Sequence, residues 1–536
     1  MKKVLALVLA VSMLIGLAAC SAPKDANTGN TTTNTTTAAP EQTDANSDGI
    51  VRGGILKIAT ATECGNLLWT GSGGGPSDLI PYWCNYETLF NYNDKGGIDP
   101  WLATGYEPHP DDLYYLITLR QGVKFSDGSD LNAEVAKWNI EHYIKVGSKK
   151  SLVQEVVSVD VVDDYTIKVN LSSWNACIPY AFGREPGIMF SQKQFETYGE
   201  EYCTEHPVGT GPFKLVEFTR DVVKKYEKNE YYWNGEVYLD GVEMYVYGDA
   251  VVAQAAIENG EIDVWYGATY NQASQMKAKG WNVECGTVAA QIPMVVFDSA
   301  DPSDPLSNVK VRQAISHAIN KEAIVNAVYY GMADVTNQFC VGSYYFDKNV
   351  KGYEYDLEKA KQLMAEAGYP DGFDTTILVT TSNQATKDGA TIVAEQLKDI
   401  GINVTIDARD STAYSAQMTG WGKGLIYHTS GCSISVPMQV SSMFRQGLSG
   451  NVIGLDSIYR SDNLEAALKG AMEARNDEDQ LKAFNKAAEI MIDEECLLSP
   501  VCTIFFPFIK SDKLHDDNIN TGYYQVNTLA KAWLSK

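Results

Sequence analysis

The chain has 536 residues, with 43 Lys and Arg against 68 Asp and Glu, and a formal net charge of −25. This balance excludes a partner held mainly through phosphate contacts, because such contacts need clustered cations, so the sequence predicts no nucleic-acid partner. The length exceeds what one hydrophobic core supports, and the hydrophobic fraction of 45% is that of a folded chain, so several domains are expected.

The amino terminus differs from the rest of the chain. Residues 1–19 begin with Lys2 and Lys3 and continue as an apolar run, which is typical of a secretory signal peptide. The run ends in Leu-Ala-Ala-Cys, which resembles the bacterial lipobox, so Cys20 is the expected lipid attachment site. An ordinary signal with small residues at its cleavage site stays open as the alternative. Residues 20–50 are rich in Thr, Asn and Ala and predict a lipid-anchored disordered tether.

Alternating strand and helix signals follow the tether. Apolar alternation and turn residues predict strands at 54–60, 114–120 and 402–407 and a hairpin formed by 156–162 and 166–171. Apolar spacing of three and four residues predicts helices, listed here in chain order: 132–143, 309–329, 357–367, 390–400, 464–474 and 480–494. Asp356 is the expected N-cap and Gly368 the expected stop of the helix at 357–367. The pattern therefore predicts an α/β fold class.

Signals for catalysis or a bound metal are missing from the sequence. The six histidines form no HExxH motif, and no two cysteines have the two-residue spacing of a zinc or redox site. The glycine clusters at 71–75 and 447–450 lack the flanking residues of a P-loop or a nucleophile elbow. We therefore expect no enzyme activity, no cofactor and no metal, and we expect most cysteines to be small buried hydrophobic residues.

A series of motifs is spread along the chain in a fixed order. It includes GGILKIAT at 53–60, YETLFNYN at 86–93, DPWLATGYEP at 99–108, LRQGVKFSDGSDLNAEVAKWN at 119–139, HPVGTGPFKLVEF at 206–218, PLSNVKVRQAISHAINKEAI at 305–324 and YDLEKAKQLMAEAGYPDGF at 355–373. The series resembles the extracytoplasmic solute-binding proteins of peptide and nickel ABC importers, family 5.

The resemblance implies a two-lobed periplasmic-binding-protein type II fold with an extra inserted subdomain in lobe I. Transferred to this chain, lobe I comprises 51–96, 206–300 and 505–536, the insert is 97–205, and lobe II is 301–504. The chain then crosses between lobes near 295–302 and near 500–507, and two short connections make a hinge. The resemblance further implies a monomer that closes on its ligand and is recognised by ABC importer membrane subunits.

The segment 411–455 contains no Asp or Glu, although peptide-binding relatives place an aspartate there for the ligand's ammonium group. A free peptide amino terminus would then need a carboxylate from elsewhere, with Glu63 and Asp410 as candidates, because an unpaired buried ammonium is costly. The remaining candidate ligand-binding residues are Trp69, Trp421, Tyr427 and His428, whose rings could stack on a ligand or pack in the core. An oligopeptide is the leading cargo. An oligosaccharide, a metal chelate or another uncharged solute is the alternative cargo. A third hypothesis is that the protein is an exported hydrolase.

Overall fold

The computed structural model describes residues 49–71, 76–286, 291–419, 422–431, 457–519, 526 and 528–536. The α-helices in this part of the chain are α1 (Pro76–Asn85), α2 (Ala133–Val146), α3 (Ile178–Ala181), α4 (Gln192–Cys203), α5 (Ala250–Glu258), α6 (Tyr270–Ala278), α7 (Val309–Ala318), α8 (Lys321–Tyr329), α9 (Leu357–Glu366), α10 (Gln384–Leu397), α11 (Ser411–Thr419), α12 (Asp462–Met472) and α13 (Asp477–Glu489). The strands are β1 (Ile55–Thr60), β2 (Phe90–Tyr92), β3 (Ile98–Pro100), β4 (Ala103–His109), β5 (Tyr114–Leu119), β6 (Val156–Asp163), β7 (Thr166–Leu171), β8 (Phe213–Thr219), β9 (Val223–Lys228), β10 (Gly241–Val246), β11 (Val264–Tyr266), β12 (Asn282–Cys285), β13 (Gln291–Phe297), β14 (Ala333–Val335), β15 (Phe373–Thr380), β16 (Ile402–Arg409), β17 (Leu425–Gly431), β18 (Leu498–Pro500), β19 (Cys502–Ile504), β20 (Pro507–Lys510), β21 (Leu514–His515) and β22 (Trp533–Leu534).

Local sequence signals explain where the helices of the second half begin and end. The Asp356 carboxylate accepts the N–H of Lys359 at 2.9 Å, which is the predicted N-cap, and Gly368 has the positive φ of +88° expected after a helix end. The single helix predicted at 309–329 is wrong, because α7 ends before Ile319 and α8 begins at Lys321. Asn320 sits between them and its side chain accepts the N–H of Ala323, so a second cap starts a new helix.

The first sheet is mixed and has the order β12-β20-β11-β1-β10-β9-β8. Strand β1 lies parallel to β10 on one side and to β11 on the other. Strands β12 and β20 extend the sheet beyond β11, and β9 and β8 extend it beyond β10, by antiparallel pairing. Three adjacent parallel strands therefore occupy the middle of this sheet.

The second sheet contains β14, β19, β13, β17, β15 and β16 in that order, with β18 paired to β13. Strand β15 is parallel to both β16 and β17, whereas β13 is antiparallel to β17. Because β13 belongs to this sheet, the chain leaves the first sheet after Cys285 and enters the second at Gln291. The predicted boundary at residue 300 and the predicted crossing at 295–302 are therefore displaced, because QIPMVVF at 291–297 pairs with β17 rather than with the first sheet.

A separate four-stranded antiparallel sheet, β4-β5-β7-β6, lies within residues 97–205 and packs with α2. The glycines of the GTGPF motif, at 209–213, lie against the end of α1. A Cβ atom on Gly209 would lie 2.1 Å from the carbonyl oxygen of Asn85, so only glycine fits there. The motif thus makes a close backbone contact that a side chain at this position would prevent.

Seven of the described cysteines are buried, as the sequence predicts. Among the described residues, no helix combines the length and apolar character needed to cross a bilayer. The predicted signal peptide at 1–19, the predicted lipid site Cys20, most of the tether at 20–50 and the candidate Trp421 lie outside the described residues.

Candidate functional site

The strand register places both connections between the two main sheets beside the carboxyl ends of the parallel strands in each sheet. We call this side of a sheet its carboxyl edge. In the first sheet Tyr266, at the carboxyl end of β11, pairs with Phe508, and Cys285 pairs with Pro507. The chain therefore leaves β12 and enters β20 beside the carboxyl ends of β1, β10 and β11. In the second sheet Gln291 pairs with Gly431 and with Ile504, so the chain enters and leaves beside the carboxyl end of β17.

Both connections, between Cys285 and Gln291 and between Ile504 and Pro507, thus join the carboxyl edges of the two sets of parallel strands. In open α/β sheets, ligands bind outside the carboxyl ends of the strands. We therefore take these two carboxyl edges as the candidate ligand site.

Exposed hydroxyl and amide side chains lie along the described part of these edges. They follow the carboxyl ends of β1, β11 and β15 and comprise Thr62, Thr269, Thr381, Ser382 and Asn383. Some of them already bond within the chain, since Asn383 accepts the N–H of Thr386 and Thr269 accepts that of Gln272. Hydroxyl and amide groups can both donate and accept, so their remaining capacity suits a ligand that presents paired donors and acceptors. None of these residues was predicted from the sequence, although each lies shortly after a strand.

Glu63 follows β1 at this edge, but its carboxylate is already paired. It forms an ion pair with Lys224 of β9 and accepts the N–H groups of Cys64 at 2.8 Å and Asp221 at 3.2 Å. The side chains of Glu63 and Lys224 are 8% and 3% exposed. The described conformation therefore uses the Glu63 carboxylate to hold the loop after β1 against β9.

Trp69 lies in the core of residues 97–205, away from solvent. Its ring stacks on Phe190 with centroids 4.6 Å apart and lies 5.4 Å from Trp138, 5.3 Å from His142 and 5.6 Å from Phe195. The side chain has no exposed surface. The predicted stacking of Trp69 on a ligand therefore has no open ring face in this structure.

Tyr427 and His428 are neighbours on β17 and face opposite sides of the second sheet. Tyr427 is fully buried, and a Cβ atom on Gly389 would lie 2.5 Å from its hydroxyl, so Tyr427 fills the space beneath α10. His428 is half-buried, and its Nδ1 lies 3.0 Å from the hydroxyl of Tyr414 on α11. Burial lowers the pKa of His428 to about 4, so the imidazole is neutral near pH 7.

Asp410 is the exposed carboxylate that follows β16 at the same edge. Its Oδ1 accepts the N–H groups of Thr412 and Ala413 at 3.0 and 2.9 Å and so caps α11. The preceding Arg409 is held by the carboxylate of Asp407, with the closest contact at 2.8 Å. Of the two carboxylates proposed for a ligand ammonium group, Asp410 is thus the exposed one and Glu63 the buried one.

Within the described part of the chain, no group of three or more His, Cys, Asp or Glu side chains could hold a metal ion. A cavity of about 390 Å³ lies elsewhere, and Asp99, Trp101 and Asp516 are among the residues that line it. None of these three residues follows the carboxyl end of a parallel strand, so the cavity is separate from the candidate site.

Comparisons with known proteins agree on one family and one fold. The family model described as "Bacterial extracellular solute-binding proteins, family 5 Middle" matches residues 97–451. The chain is 29% identical over 420 residues to the glutathione-binding protein GsiB of Salmonella typhi, covering 76% of this chain and 81% of GsiB.

Two solved structures are also similar. The periplasmic binding protein DppA of Helicobacter pylori, in complex with the peptide STSA, has a TM-score of 0.75 at 24% identity, covering 90% of this chain and 99% of DppA. NikA of Brucella suis, in complex with Fe(III)-EDTA, has a TM-score of 0.77 at 21% identity, covering 90% of this chain and all of NikA. These likenesses confirm the predicted type II periplasmic-binding-protein fold.

Proposed function

The chain belongs to the bacterial extracellular solute-binding proteins of family 5, which serve ABC importers, and on this premise we propose that it captures an oligopeptide between two lobes and delivers it to the importer's membrane subunits. The first lobe is built on the first sheet and carries residues 97–205 as an insert. The second lobe is built on the second sheet. The protein acts as a monomer and changes no covalent bond of its cargo.

One observation carries the proposal: both connections between the sheets lie at the carboxyl edges of their parallel strands. Rotation about two short connections opens or closes the space between those edges. A ligand favours the closed form only if it binds that form better than the open one, so it has to touch both edges. The importer can then distinguish loaded from empty protein by the closed shape.

The exposed hydroxyl and amide groups of both edges support a peptide as cargo, because each peptide unit needs both a donor and an acceptor. The similarity to a glutathione-binding protein and to a peptide-bound DppA supports the same class. Asp410 is the proposed partner of the ligand's ammonium group, since its carboxylate is exposed at the carboxyl edge. Trp421 and the half-buried His428 remain proposed contacts on the second lobe.

The absence of Asp and Glu from residues 411–455 favours one alternative, in which a protein with the same solute-binding role carries an oligosaccharide, a metal chelate or another uncharged solute. The likeness to NikA, solved with a metal chelate, supports keeping this alternative in the screen. The two cargo classes differ in whether a free ammonium group contributes to binding.

The amino-terminal sequence supports an extracytoplasmic location. We propose that residues 1–19 are removed, that Cys20 carries the lipid anchor, and that residues 20–50 tether the folded part to the outer face of a Gram-positive cell membrane. Two acyl chains give stable anchoring where one is marginal. Cys20→Ala should then move the protein from the membrane fraction to the medium or leave it unprocessed; a membrane-bound, fully processed variant would contradict the anchor.

Thermal-shift screening of the mature chain against peptides, glutathione, oligosaccharides and metal chelates tests the cargo. A ligand at 100 times its dissociation constant should raise the free energy of unfolding by about 2.7 kcal/mol. We expect peptides to raise the melting temperature and to be recovered intact. A rise with carbohydrates alone would overturn the peptide cargo, and hydrolysis of the stabilising ligand would overturn the binding role.

Asp410→Asn isolates the ammonium contact, because asparagine caps a helix about as well as aspartate does. We expect a loss of tenfold or more in affinity for a peptide with a free amino terminus and little change for its acetylated form. The matched control is Asp374→Asn, an exposed aspartate at the amino end of β15 on the same sheet. Equal affinities of wild type and Asp410→Asn for the free peptide would remove Asp410 from the site.

A further inference from the structure

The insert at 97–205 makes direct contact with the helical hairpin formed by α12, residues 473–476 and α13, which follows β17 of the second sheet in the chain. The indole Nε1 of Trp174 donates to the carbonyl oxygen of Ala474 at 2.8 Å. The N–H of Ala176 donates to the carbonyl oxygen of Met472 at 2.6 Å. Met472 itself packs into the hydrophobic core of the insert.

Buried polar groups continue this contact. Gln480 of the hairpin donates from Nε2 to the sulfur of Cys177 at 3.5 Å and accepts the hydroxyl of Tyr345 at 3.0 Å. The hydroxyl of Tyr345 also lies 3.4 Å from that of Tyr180 in the insert. Cys177, Gln480 and Tyr345 are each at most 3% exposed. At the rim, the exposed Arg475 pairs with Asp111 at 2.6 Å.

The chain connectivity makes this contact different from ordinary core packing. The insert is flanked in sequence by elements of the first sheet, and the hairpin is flanked by strands of the second. The two sheets are joined only through the connections after Cys285 and after Ile504, as far as the described residues show. Movement of the sheets about these connections therefore has to break the contact or carry the insert with the hairpin.

We infer that the contact between the insert and the α12–α13 hairpin is a latch, which holds the two lobes together without ligand and exposes Cys177 when it opens. This inference rests on the proposed clamp, whose closing it would regulate. In this latch, opening of the lobes breaks the contacts, so their strength sets how much of the empty protein is closed. A weaker latch releases cargo faster, since less of the closed form remains stabilised.

Cysteine labelling tests the latch with the whole chain and needs no ligand. Cys177 and Cys203 are both buried in the insert, and burial raises the pKa of their thiols to about 12 and about 11, so neither reacts in place. Cys203 lies away from the hairpin and reports unfolding of the insert itself. We expect N-ethylmaleimide, followed site by site by mass spectrometry, to label Cys177 at least tenfold faster than Cys203.

Trp174→Phe removes the indole donor and keeps a ring to stack on Tyr115. It should raise the Cys177 labelling rate about fivefold, the factor that one net hydrogen bond corresponds to, and leave Cys203 unchanged. The matched control is Trp533→Phe, which removes an indole hydrogen bond to Asp516 far along the chain and should change neither rate.

A charge swap avoids the core altogether. Asp111→Lys faces Arg475 with a like charge at an exposed site and should speed Cys177 labelling at low salt, and adding Arg475→Glu should reverse the effect.

Equal rates for Cys177 and Cys203 in the wild type, or an unchanged Cys177 rate in both Trp174→Phe and Asp111→Lys, would overturn the latch. A peptide that stabilises the chain should slow Cys177 labelling; binding without that slowing would also overturn it. A response to Trp174→Phe with no peptide binding at all would leave the latch and refute only the proposed cargo.

Discussion

Burial and hydrogen bonding act in opposite directions on the pKa of Glu87. Its carboxylate is fully buried and accepts the indole N–H groups of Trp101 at 2.9 Å and Trp233 at 2.7 Å and the hydroxyl of Thr210 at 2.8 Å. Burial raises the pKa of Glu87 to about 7 from an ordinary value of 4.5, although these donors pull it downward. Glu87 lies in the motif at 86–93 and thereby connects it to Trp101 of the motif at 99–108, to Thr210 of the motif at 206–218 and to Trp233.

The folded protein binds the proton of Glu87 more tightly than the unfolded chain does, so protonation of Glu87 stabilises the folded state. This stabilisation is fully present below pH 4.5 and is lost as the pH rises through about 7. A difference of 2 to 3 pKa units corresponds to about 3 kcal/mol. In Glu87→Gln the group no longer titrates, so the stability of the wild type relative to this variant should fall by about 3 kcal/mol between pH 4.5 and pH 8.

Urea unfolding, followed by tryptophan fluorescence across this pH range, measures the difference directly. The control is Glu366→Gln, because Glu366 is exposed beside Lys310 and its pKa lies below the ordinary value. Its difference from wild type should run in the opposite direction and be small. Parallel pH profiles for wild type and Glu87→Gln would contradict the raised pKa, since they would mean that Glu87 has the same pKa in the folded protein as in the unfolded chain.

Three further substitutions test the buried groups near the candidate site. Lys224→Met leaves the Glu63 carboxylate buried without its cation and should lower the free energy of unfolding in urea by about 3–5 kcal/mol. Adding Glu63→Gln should restore part of this loss, and full stability of the single variant would contradict the buried pair. His428→Gln should remove a loss of stability that the wild type shows as the pH falls from 6.5 to about 4, because the unfolded chain takes up the proton first; identical pH profiles would show that His428 titrates normally. Tyr427→Ala should lower the free energy of unfolding by about 3–5 kcal/mol, as for other buried aromatic residues, whereas a loss of ligand affinity at unchanged stability would place Tyr427 in the site instead of the core.

The fold could largely be predicted, because its elements carry local signals. The strand predicted at 54–60 is β1, the predicted hairpin is β6 and β7, and the helix at 357–367 has the cap that Asp356 predicts. Pairing partners could not be predicted in the same way. Residues 292–297 are all apolar and show no alternation, so only the register of this strand with β17 assigns it to the second sheet.

The candidate site was less predictable, because aromatic rings suit a core and a ligand equally well. Trp69 and Tyr427 lie in the core, where their neighbours come from distant parts of the chain. Glu63 is neutralised by Lys224, a residue 161 positions away that no local pattern connects to it. The buried Arg312 shows the same dependence on distant residues, because its guanidinium donates to backbone carbonyl oxygens that include those of Cys496 at 2.9 Å and Leu306 at 2.7 Å.

Isothermal titration of the mature chain with the best peptide from the thermal-shift screen tests whether the protein binds a peptide through Asp410. We predict one binding site per chain, recovery of the peptide intact, and an affinity that falls for Asp410→Asn but not for Asp374→Asn. No binding of any peptide, together with saturable binding of a carbohydrate or a chelate that Asp410→Asn leaves unchanged, would contradict it.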